Sequence, residues 1–253
     1  MKLFHRVLGE GPPLLILHGL FGSSDNWQTH ARVFSETHTV YLIDQRNHGH
    51  SPHALEMNYD VMAHDLFEFV AELGLRDVRL IGHSMGGKTI MRFAQQYSFI
   101  IDRMVVADMG IKAYPPHHDQ VFQGLFAVDV QHCPSRKEAE ERLSAFVSDA
   151  GTLQFLLKNL YWKEPGLLDW RFNLPVLFHE RVHLMAALPQ ERIESSALFL
   201  TGGKSHYVPE VDQVSIRELI ADVQFETMQN AGHWLHADAP LNFIQHCLDY
   251  FES

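Results

Sequence analysis

Short apolar runs recur along the first half of the chain and alternate with longer amphipathic patterns. The runs that predict strands are LLILHG (14–19), TVYLIDQ (39–45), VRLIGHS (78–84) and RMVVADMG (103–110). Helical patterns fill residues 59–74, which close on Gly74, and residues 85–97. Strands that alternate with helices predict βαβ units, in which helices cover both faces of a parallel sheet. The pattern therefore predicts an α/β protein.

The alternation of strand and helix patterns ends after Asp108. From residue 111 to residue 189 the pattern is mostly helical and predicts no core strand, with candidate helices at 118–130, 135–150, 152–160 and 175–188. Strand patterns return at 195–203 and 223–232, and a last helix is predicted at 241–251. Because the helical stretch interrupts the sheet, we predict an α/β core of residues 1–110 and 190–253, with an inserted helical cap, or lid, at 111–189.

Composition narrows the class of protein. The chain has 253 residues, of which 46% are hydrophobic, enough for a large core with an inserted subdomain. A net charge of −11 argues against a nucleic-acid partner. The two cysteines, Cys133 and Cys247, lack close spacing and indicate free thiols in a reducing compartment. The apolar run Leu14 to Leu17 is too short for a signal peptide or a membrane span, so a cytoplasmic protein is expected; the oligomeric state is not predicted.

The stretch GHSMG, residues 82–86, matches the G-x-S-x-G pattern. A predicted strand runs into it and a predicted helix leaves it. A strand-to-helix elbow would place Ser84 at the carboxyl end of a parallel strand, where ligands of such sheets bind. The flanking glycines allow the tight turn, and the helix N-terminus favours developing negative charge. Ser84 is therefore the candidate nucleophile.

A glycine-rich loop, HGLFGS at residues 18–23, follows the first predicted strand. The backbone amide of Leu20, or that of Phe21, could converge with the amide of Met85 on a carbonyl oxygen beside Ser84. Such an oxyanion hole contributes on the order of 3 kcal/mol per donor to the transition state. We predict the hole from Leu20 and Met85.

A serine hydroxyl needs a base, and His233 in NAGHWLHADAP is the candidate. It follows the last predicted strand and comes last in the order serine, acid, histidine. His236 is the nearest competitor and is expected at a helix start or on the surface. His18 and His83 lie within the motifs above and are expected to be structural.

A second pattern competes with this reading. HERVH, residues 179–183, satisfies the zinc-peptidase pattern H-E-x-x-H and is predicted on a helix. The extended form of that pattern requires a glycine and a third histidine, where Ala186 and Pro189 stand here. Zinc chemistry through His179 and His183 is therefore the weaker alternative, and no metal or other cofactor is predicted.

Taken together, several stretches resemble the α/β-hydrolase superfamily and, more closely, the YbfF-type esterases, relatives of the animal abhydrolase-domain-11 proteins. They are HGLFGSSDNW, DQRNHGHSP, GHSMGGK, DWRFNLPVL, GGKSHYV and AGHWLHADAP. Asn47 stands where the general superfamily pattern has glycine, as in this subgroup. The resemblance implies an α/β-hydrolase fold with an inserted helical cap and a cofactor-free hydrolase of carboxylic esters or acyl thioesters.

The resemblance also locates the acid. Many α/β-hydrolases carry it in the turn that holds Ser205 here, where this chain has no Asp or Glu. In the YbfF-type enzymes it ends the strand after the nucleophile helix, which implies Asp108. That position agrees with the predicted sheet, because Asp108 ends the strand beside the one bearing Ser84. Asp238 and Asp212 remain rivals, and Ser205 is expected to add a hydrogen bond to Asp108 or His233.

These expectations combine into a serine hydrolase that acts through an acyl-enzyme on a small-molecule ester or thioester. The residues expected to contact the acyl chain, besides Leu20 and Met85, are Phe21 and Trp234 from the core and Phe155, Leu156 and Leu177 from the cap. Hydrolysis of a C–C bond or a lactone is the alternative within the same superfamily. A hydrolase-like binding protein is a further class, against which the intact Ser84 and His233 argue.

Overall fold

The computed structural model describes residues 1–116 and 118–253. Its strands are β1 (His5–Leu8), β2 (Pro13–Leu17), β3 (Thr39–Ile43), β4 (Val78–His83), β5 (Ile101–Ala107), β6 (Leu160–Glu164), β7 (Leu167–Trp170), β8 (Ser196–Gly202) and β9 (Val223–Met228). Seven of them form one sheet in the order β1-β3-β2-β4-β5-β8-β9. Only β1 pairs antiparallel within it. The predicted α/β fold with a mostly parallel sheet is confirmed.

Helices cover both faces of the sheet. They are α1 (Gln28–Phe34), α2 (Tyr59–Glu72), α3 (Met85–Tyr97), α4 (Asp119–Ala127), α5 (Arg136–Ser144), α6 (Ala150–Leu157), α7 (Leu174–His179), α8 (Arg181–Met185), α9 (Glu210–Leu219), α10 (Leu235–Asp238) and α11 (Pro240–Glu252). Two short 3₁₀ turns lie at Ser24–Trp27 and Ser98–Ile100.

Successive side chains of the central strands enter two different cores. Leu15 and Leu17 of β2 pack on the face that holds α2 and α3, whereas Leu14 and Ile16 pack on the face that holds α1 and α11. Because side chains of a strand alternate in direction, a strand buried on both faces must be apolar at every position. This explains why the central strands read as unbroken apolar runs.

The segment predicted as a helical cap contains α4 to α8, but it also contains a β-hairpin that the sequence did not predict. The predicted helix at 152–160 ends at Leu157, and β6 follows it. The helix predicted at 175–188 is two short helices that meet at Glu180. The boundaries of this segment as a separate unit stay a prediction.

Two asparagines tie this segment to the core beside the predicted site. The side-chain amide of Asn159 donates to the carbonyl of Phe21 at 2.9 Å. The backbone amide of Asn173 donates to the carbonyl of Asn47 at 2.9 Å, and its side chain bonds the Asn47 side chain at 3.1 Å. Asn47 has a φ of 63°, a left-handed conformation that asparagine tolerates better than most residues. Asn47, which stands where the general superfamily pattern has glycine, is therefore one of the core residues to which the inserted segment is hydrogen-bonded.

No helix among residues 1–116 and 118–253 has both the length and the apolar character needed to cross a membrane.

Candidate active site

Ser84 occupies the turn between β4 and α3. Its backbone adopts φ 53° and ψ −116°, a strained conformation for a residue with a side chain. A Cβ at Gly82 would lie 2.4 Å from the Gly86 carbonyl oxygen, and one at Gly86 would lie 2.4 Å from the Leu17 carbonyl oxygen. Both glycines are thus required by close backbone approach. The strained turn leaves the Ser84 side chain partly exposed at the edge of the sheet.

His233 faces a buried carboxylate. Its Nδ1 lies 2.7 Å from Oδ2 of Asp108, whose side chain is fully buried at the end of β5. A carboxylate at this distance accepts the Nδ1–H and leaves Nε2 as the nitrogen that can take a proton from a serine. Asp108 itself has a φ of 49°, so the chain turns sharply where the carboxylate is presented.

Asp108 receives two further hydrogen bonds. The Gly202 amide donates to its Oδ1 at 3.0 Å, and the Ser205 hydroxyl donates to its Oδ2. The Ser205 oxygen in turn accepts from the Tyr207 amide at 3.2 Å. Three donors hold the carboxylate in one orientation, which fixes the imidazole that it binds. The structure thus brings Ser205 to the same carboxylate oxygen as His233.

The two rival acids have other partners. The carboxylate of Asp238 accepts from the Gly232 amide at 2.7 Å. The carboxylate of Asp212 pairs with the ammonium of Lys112 at 2.5 Å. The geometry therefore favours Asp108 as the partner of His233.

The loop at residues 18–23 lies directly against the elbow, since a Cβ at Gly19 would come within 3.3 Å of the Ser84 Cβ. The Gly19 carbonyl accepts from Nδ1 of His18 at 2.8 Å and from the Gly22 amide at 2.9 Å. In a planar trans peptide the C=O and the following N–H point in opposite directions. Holding the Gly19 carbonyl therefore turns the Leu20 N–H the other way.

The Phe21 amide already has a partner, because it donates to Nε2 of His48 at 3.2 Å. The sequence left Leu20 and Phe21 open as oxyanion donors, and this bond favours Leu20. Met85 follows Ser84 directly and begins α3. The geometry is thus compatible with a hole formed by the Leu20 and Met85 amides.

His18 and His48 are neutral supports of this loop. Burial lowers the pKa of His18 to about 4 and that of His48 to about 3. Each ring donates from Nδ1 to a carbonyl and accepts at Nε2 from a backbone amide. A protonated ring would lose its acceptor nitrogen, so the loop depends on the neutral form.

His83 links the elbow to the loop that carries the base. Its Nε2 donates to the His233 carbonyl at 2.9 Å, and burial lowers the pKa of His83 to about 3. The expectation that His18 and His83 serve structure agrees with these contacts. His236 lies in the first turn of α10, in agreement with the expected helix start, but it is buried and its ring stacks on that of Trp27 with centroids 4.4 Å apart, so the alternative of a surface position is wrong.

Tyr207 is a site residue that the sequence reading missed. Its ring stacks on the His233 imidazole with centroids 3.8 Å apart and an interplanar angle of 14°. Burial raises the pKa of Tyr207 to about 12, so the ring stays neutral. Its place two residues after Ser205 was the only available signal, because stacking across two loops leaves no periodic pattern.

Two cavities meet at this site, and Leu20, His118 and Tyr207 line both. The inner cavity has a volume of about 20 Å³. Its other lining residues are Tyr59, Ser84, Met85, Met109, Tyr114, Leu184 and Met185. The outer cavity has a volume of about 270 Å³. Its other lining residues are Phe21, Val121, Thr152, Phe155, Leu156, His233 and Trp234.

Most of the residues expected to contact substrate line the outer cavity: Phe21, Phe155, Leu156 and Trp234. Leu177 does not belong with them. It is fully buried in the hydrophobic core and is not among the described residues that line either cavity. Its expected substrate contact has no support in this geometry, because α7 turns that side chain into the packed interior.

The HERVH stretch does not form the single helix that zinc binding would need. The helix is interrupted at Glu180, between α7 and α8. The side chains of His179 and His183 are 84% and 63% exposed. Each of the two histidines contacts a different oxygen of Glu180. Among the described residues, no group of three or more His, Cys, Asp or Glu side chains is arranged to hold a metal ion.

The chain belongs to the α/β-hydrolase family. The family model described as the alpha/beta hydrolase fold matches residues 12–240. The sheet order and the elbow at Ser84 agree with this assignment.

Individual relatives show where within this family the chain belongs. The sn-1-specific diacylglycerol lipase ABHD11 of Mus musculus is 40% identical over 243 residues, which cover 92% of this chain and 78% of the mouse protein. The esterase YbfF of Escherichia coli (strain K12) is 34% identical over 229 residues, or 90% of this chain and 88% of its own. A solved structure, a marine microorganism esterase, has a TM-score of 0.95 at 40% identity and covers 98% of both chains. The resemblance to YbfF-type esterases is confirmed.

Proposed function

We propose that this chain is a serine hydrolase that cleaves carboxylic esters or acyl thioesters through an acyl-enzyme intermediate. The observation that carries the proposal is the hydrogen bond between His233 Nδ1 and the buried carboxylate of Asp108. Asp108 follows the strand that pairs with the one ending at the strained Ser84 elbow, and the Ser84 amide donates to the carbonyl just before Asp108. Relatives named as esterases and a lipase support it.

In the proposed first step, Ser84 Oγ bonds to the substrate carbonyl carbon while His233 Nε2 takes the serine proton. The carbonyl oxygen becomes an oxyanion held by the Leu20 and Met85 amides. His233 then gives the proton to the leaving oxygen or sulfur, and the bond to the leaving group breaks. Water, deprotonated by His233, attacks the acyl-enzyme and releases the acid and free Ser84. The serine's original proton leaves with the alcohol or thiol, and Ser84 is restored with the proton that His233 takes from water, so the net change is the addition of one water molecule.

Asp108 has two tasks in this scheme. It holds the imidazole in the tautomer that leaves Nε2 unprotonated, and it stabilises the imidazolium that forms. Its own hydrogen bonds from Gly202 and Ser205 keep it in place.

The first prediction tests the nucleophile. Ser84→Ala should lower ester turnover by on the order of 10⁴-fold or more, because the remaining groups can only bind and polarise the substrate. Labelling of the wild type by a fluorophosphonate, followed by peptide mapping, should place the adduct on Ser84. Circular dichroism of the variant serves as the folding control.

A Ser84→Ala variant that keeps more than about a tenth of the wild-type turnover would contradict the proposal. A wild type that hydrolyses no ester or thioester but cleaves a lactone or a C–C bond would favour the alternative reaction within the same superfamily. Failure of the fluorophosphonate to label would favour a binding protein.

A further inference from the structure

The two cavities differ in which catalytic group lines them. Ser84 and Met85 line the inner cavity, and His233 does not. His233 lines the outer cavity together with Trp234, and Ser84 does not. The candidate nucleophile and the candidate base therefore open toward different spaces.

The chemistry of acyl transfer distinguishes these spaces. The base that takes the serine proton must later protonate the leaving atom, so the leaving group lies on the side of the histidine. The acyl substituent occupies the remaining direction, away from the imidazole. Because the inner cavity is much smaller than the outer one, the substrate group that enters the inner cavity must be small, whereas the group in the outer cavity can be larger.

We propose that the inner cavity receives the acyl group and the outer cavity receives the leaving group, so that the preferred substrates join a short acyl group to a larger, mainly apolar alcohol or thiol. This inference rests on the proposed acyl transfer at Ser84. It reverses the sequence-based expectation that Phe155 and Leu156 contact the acyl chain.

The inner cavity is small. A cavity needs roughly 10–15 Å³ to hold one water molecule, and this one has about 20 Å³. That space fits a methyl or ethyl group beyond the carbonyl carbon. A longer chain must displace the wall.

Hydrogen bonds to three consecutive backbone carbonyls fix the segment that carries Leu184 and Met185, which line the inner cavity. The Leu184 carbonyl accepts from the Tyr59 hydroxyl at 2.7 Å, and the Met185 carbonyl accepts from the Tyr114 amide at 2.8 Å. The Ala186 carbonyl accepts from the ammonium of Lys88, which also donates to the Lys112 carbonyl at 2.8 Å. Moving the backbone of Leu184 and Met185 aside would break these buried hydrogen bonds, which opposes expansion of the cavity.

The outer cavity offers apolar surface for a larger group. Phe155 packs edge-to-face on Trp234, with ring centroids 4.5 Å apart, and Leu156 and Val121 extend the same wall. Thr152 is a polar residue of this wall from the cap side. With about 270 Å³ the cavity can hold an alcohol of several carbons.

Two ester series measured as kcat/KM on the wild type test the assignment. In the first, p-nitrophenyl esters run from acetyl to decanoyl; in the second, acetate esters of linear alcohols run from methanol to decanol. We expect the acyl series to fall by about tenfold or more between propionyl and hexanoyl, since a misfit of a few methylenes in an apolar pocket costs that much. We expect the alcohol series to rise over the same change in length.

Variants separate the two walls. Met185→Ala should enlarge the inner cavity and recover about tenfold on the hexanoyl ester while leaving the order of the alcohol series unchanged. Phe155→Ala should alter the chain-length preference of the alcohol series and leave that of the acyl series unchanged; its absolute rates on p-nitrophenyl esters should change by the same factor at every acyl length, because the p-nitrophenyl group also lies in the outer cavity. Val182→Ala is the matched control on α8, because its side chain is 69% exposed and lies outside the walls described for both cavities.

The assignment is overturned if the wild type prefers long acyl groups, including those of a long-chain diacylglycerol, or if Phe155→Ala changes the chain-length preference of the acyl series. The wild-type series stand without any variant, so a Met185→Ala protein that fails to fold leaves the test intact. Failure of the proposed function looks different, because Ser84→Ala would then keep its activity on every ester.

Discussion

At the scale of single residues, the site depends on one buried carboxylate. Asp108 Oδ2 accepts hydrogen bonds from both His233 Nδ1 and the Ser205 hydroxyl. The side chains at positions 108 and 205 therefore meet beside the His233 ring. Ser205 stands in the turn where many α/β-hydrolases are expected to carry the acid. The chain thus keeps a hydrogen-bond donor at one position and the charge at the other.

This arrangement predicts an exchange of roles. Asp108→Asn should lower turnover by about 10⁴-fold, because an amide donor cannot hold His233 in the required tautomer. Ser205→Ala removes one supporting hydrogen bond and should cost roughly tenfold. Asp108→Asn combined with Ser205→Asp should recover part of the loss, as measured by kcat on one ester. An Asp108→Asn protein almost as active as the wild type would turn attention to Asp238 and Asp212.

The sequence-based prediction of Ser84 came from the GHSMG pattern after an apolar strand, and that of His233 from its place after the last strand. The prediction of Asp108 came from the family resemblance, and the predicted sheet agreed with it because parallel strands end at the same edge of a sheet. Tyr207 and His48 could not be found in that way. Tyr207 meets His233 by stacking between two loops, and His48 accepts a backbone amide from a loop that is distant in sequence. Contacts of this kind depend on the packed structure and leave no local pattern.

At the scale of elements, burial separates most of the predicted strands from the missed ones, although the partly exposed edge strand β9 (VQFETM) was also predicted. The strands buried on both faces were predicted, because every position in them is apolar. The edge strand β1 (HRVL) and the hairpin β6–β7 (LYWKEPGLLDW) were missed, because they are partly exposed and mix polar with apolar residues. Helix α9 was also missed, since its exposed positions include Val211 and Val214, which obscure the amphipathic pattern.

Helix α3 carries an element-scale prediction through Lys88. This side chain is fully buried, and burial lowers its pKa to about 7. In the unfolded chain a lysine keeps its proton to about pH 10.4. Between these values the unfolded state binds more protons, so the lysine's contribution to the free energy of unfolding rises with pH.

The free energy of unfolding of the wild type, relative to Lys88→Met, should therefore increase from pH 7 to pH 10 by up to about 1.4 kcal/mol per pH unit. Urea denaturation at several pH values measures this. Lys2→Met, at a site whose side chain is 83% exposed, reports the general effect of losing a lysine charge. A difference for Lys88→Met that stays flat over this range would refute the prediction.

At the scale of the whole molecule, several histidines are folded into the interior as neutral rings. Burial lowers the pKa of His18 to about 4 and those of His48 and His83 to about 3, and it lowers the pKa of His236 well below its usual value. His18 and His48 orient the loop of Leu20, and His83 holds the loop of His233. Protonation of these buried histidines would therefore destabilise the fold and disturb the loops that carry Leu20 and His233.

The last prediction follows from the sign of these shifts. An unfolded histidine takes up a proton near pH 6.5, whereas the folded rings take one up only near pH 3 to 4, so the stability they contribute at neutral pH is lost as pH falls through this window. His18, His48 and His83 together should lower the free energy of unfolding by up to roughly 4 kcal/mol per pH unit between pH 6 and pH 5. His48→Gln keeps an acceptor for the Phe21 amide but does not titrate, so its slope should be shallower by about 1.4 kcal/mol per pH unit. Carboxylates titrate equally in both proteins and cancel in the comparison. Denaturant midpoints at pH 7.5, 6 and 5 provide the measurement, and equal slopes for the two proteins would mean that His48 does not couple the fold to acid.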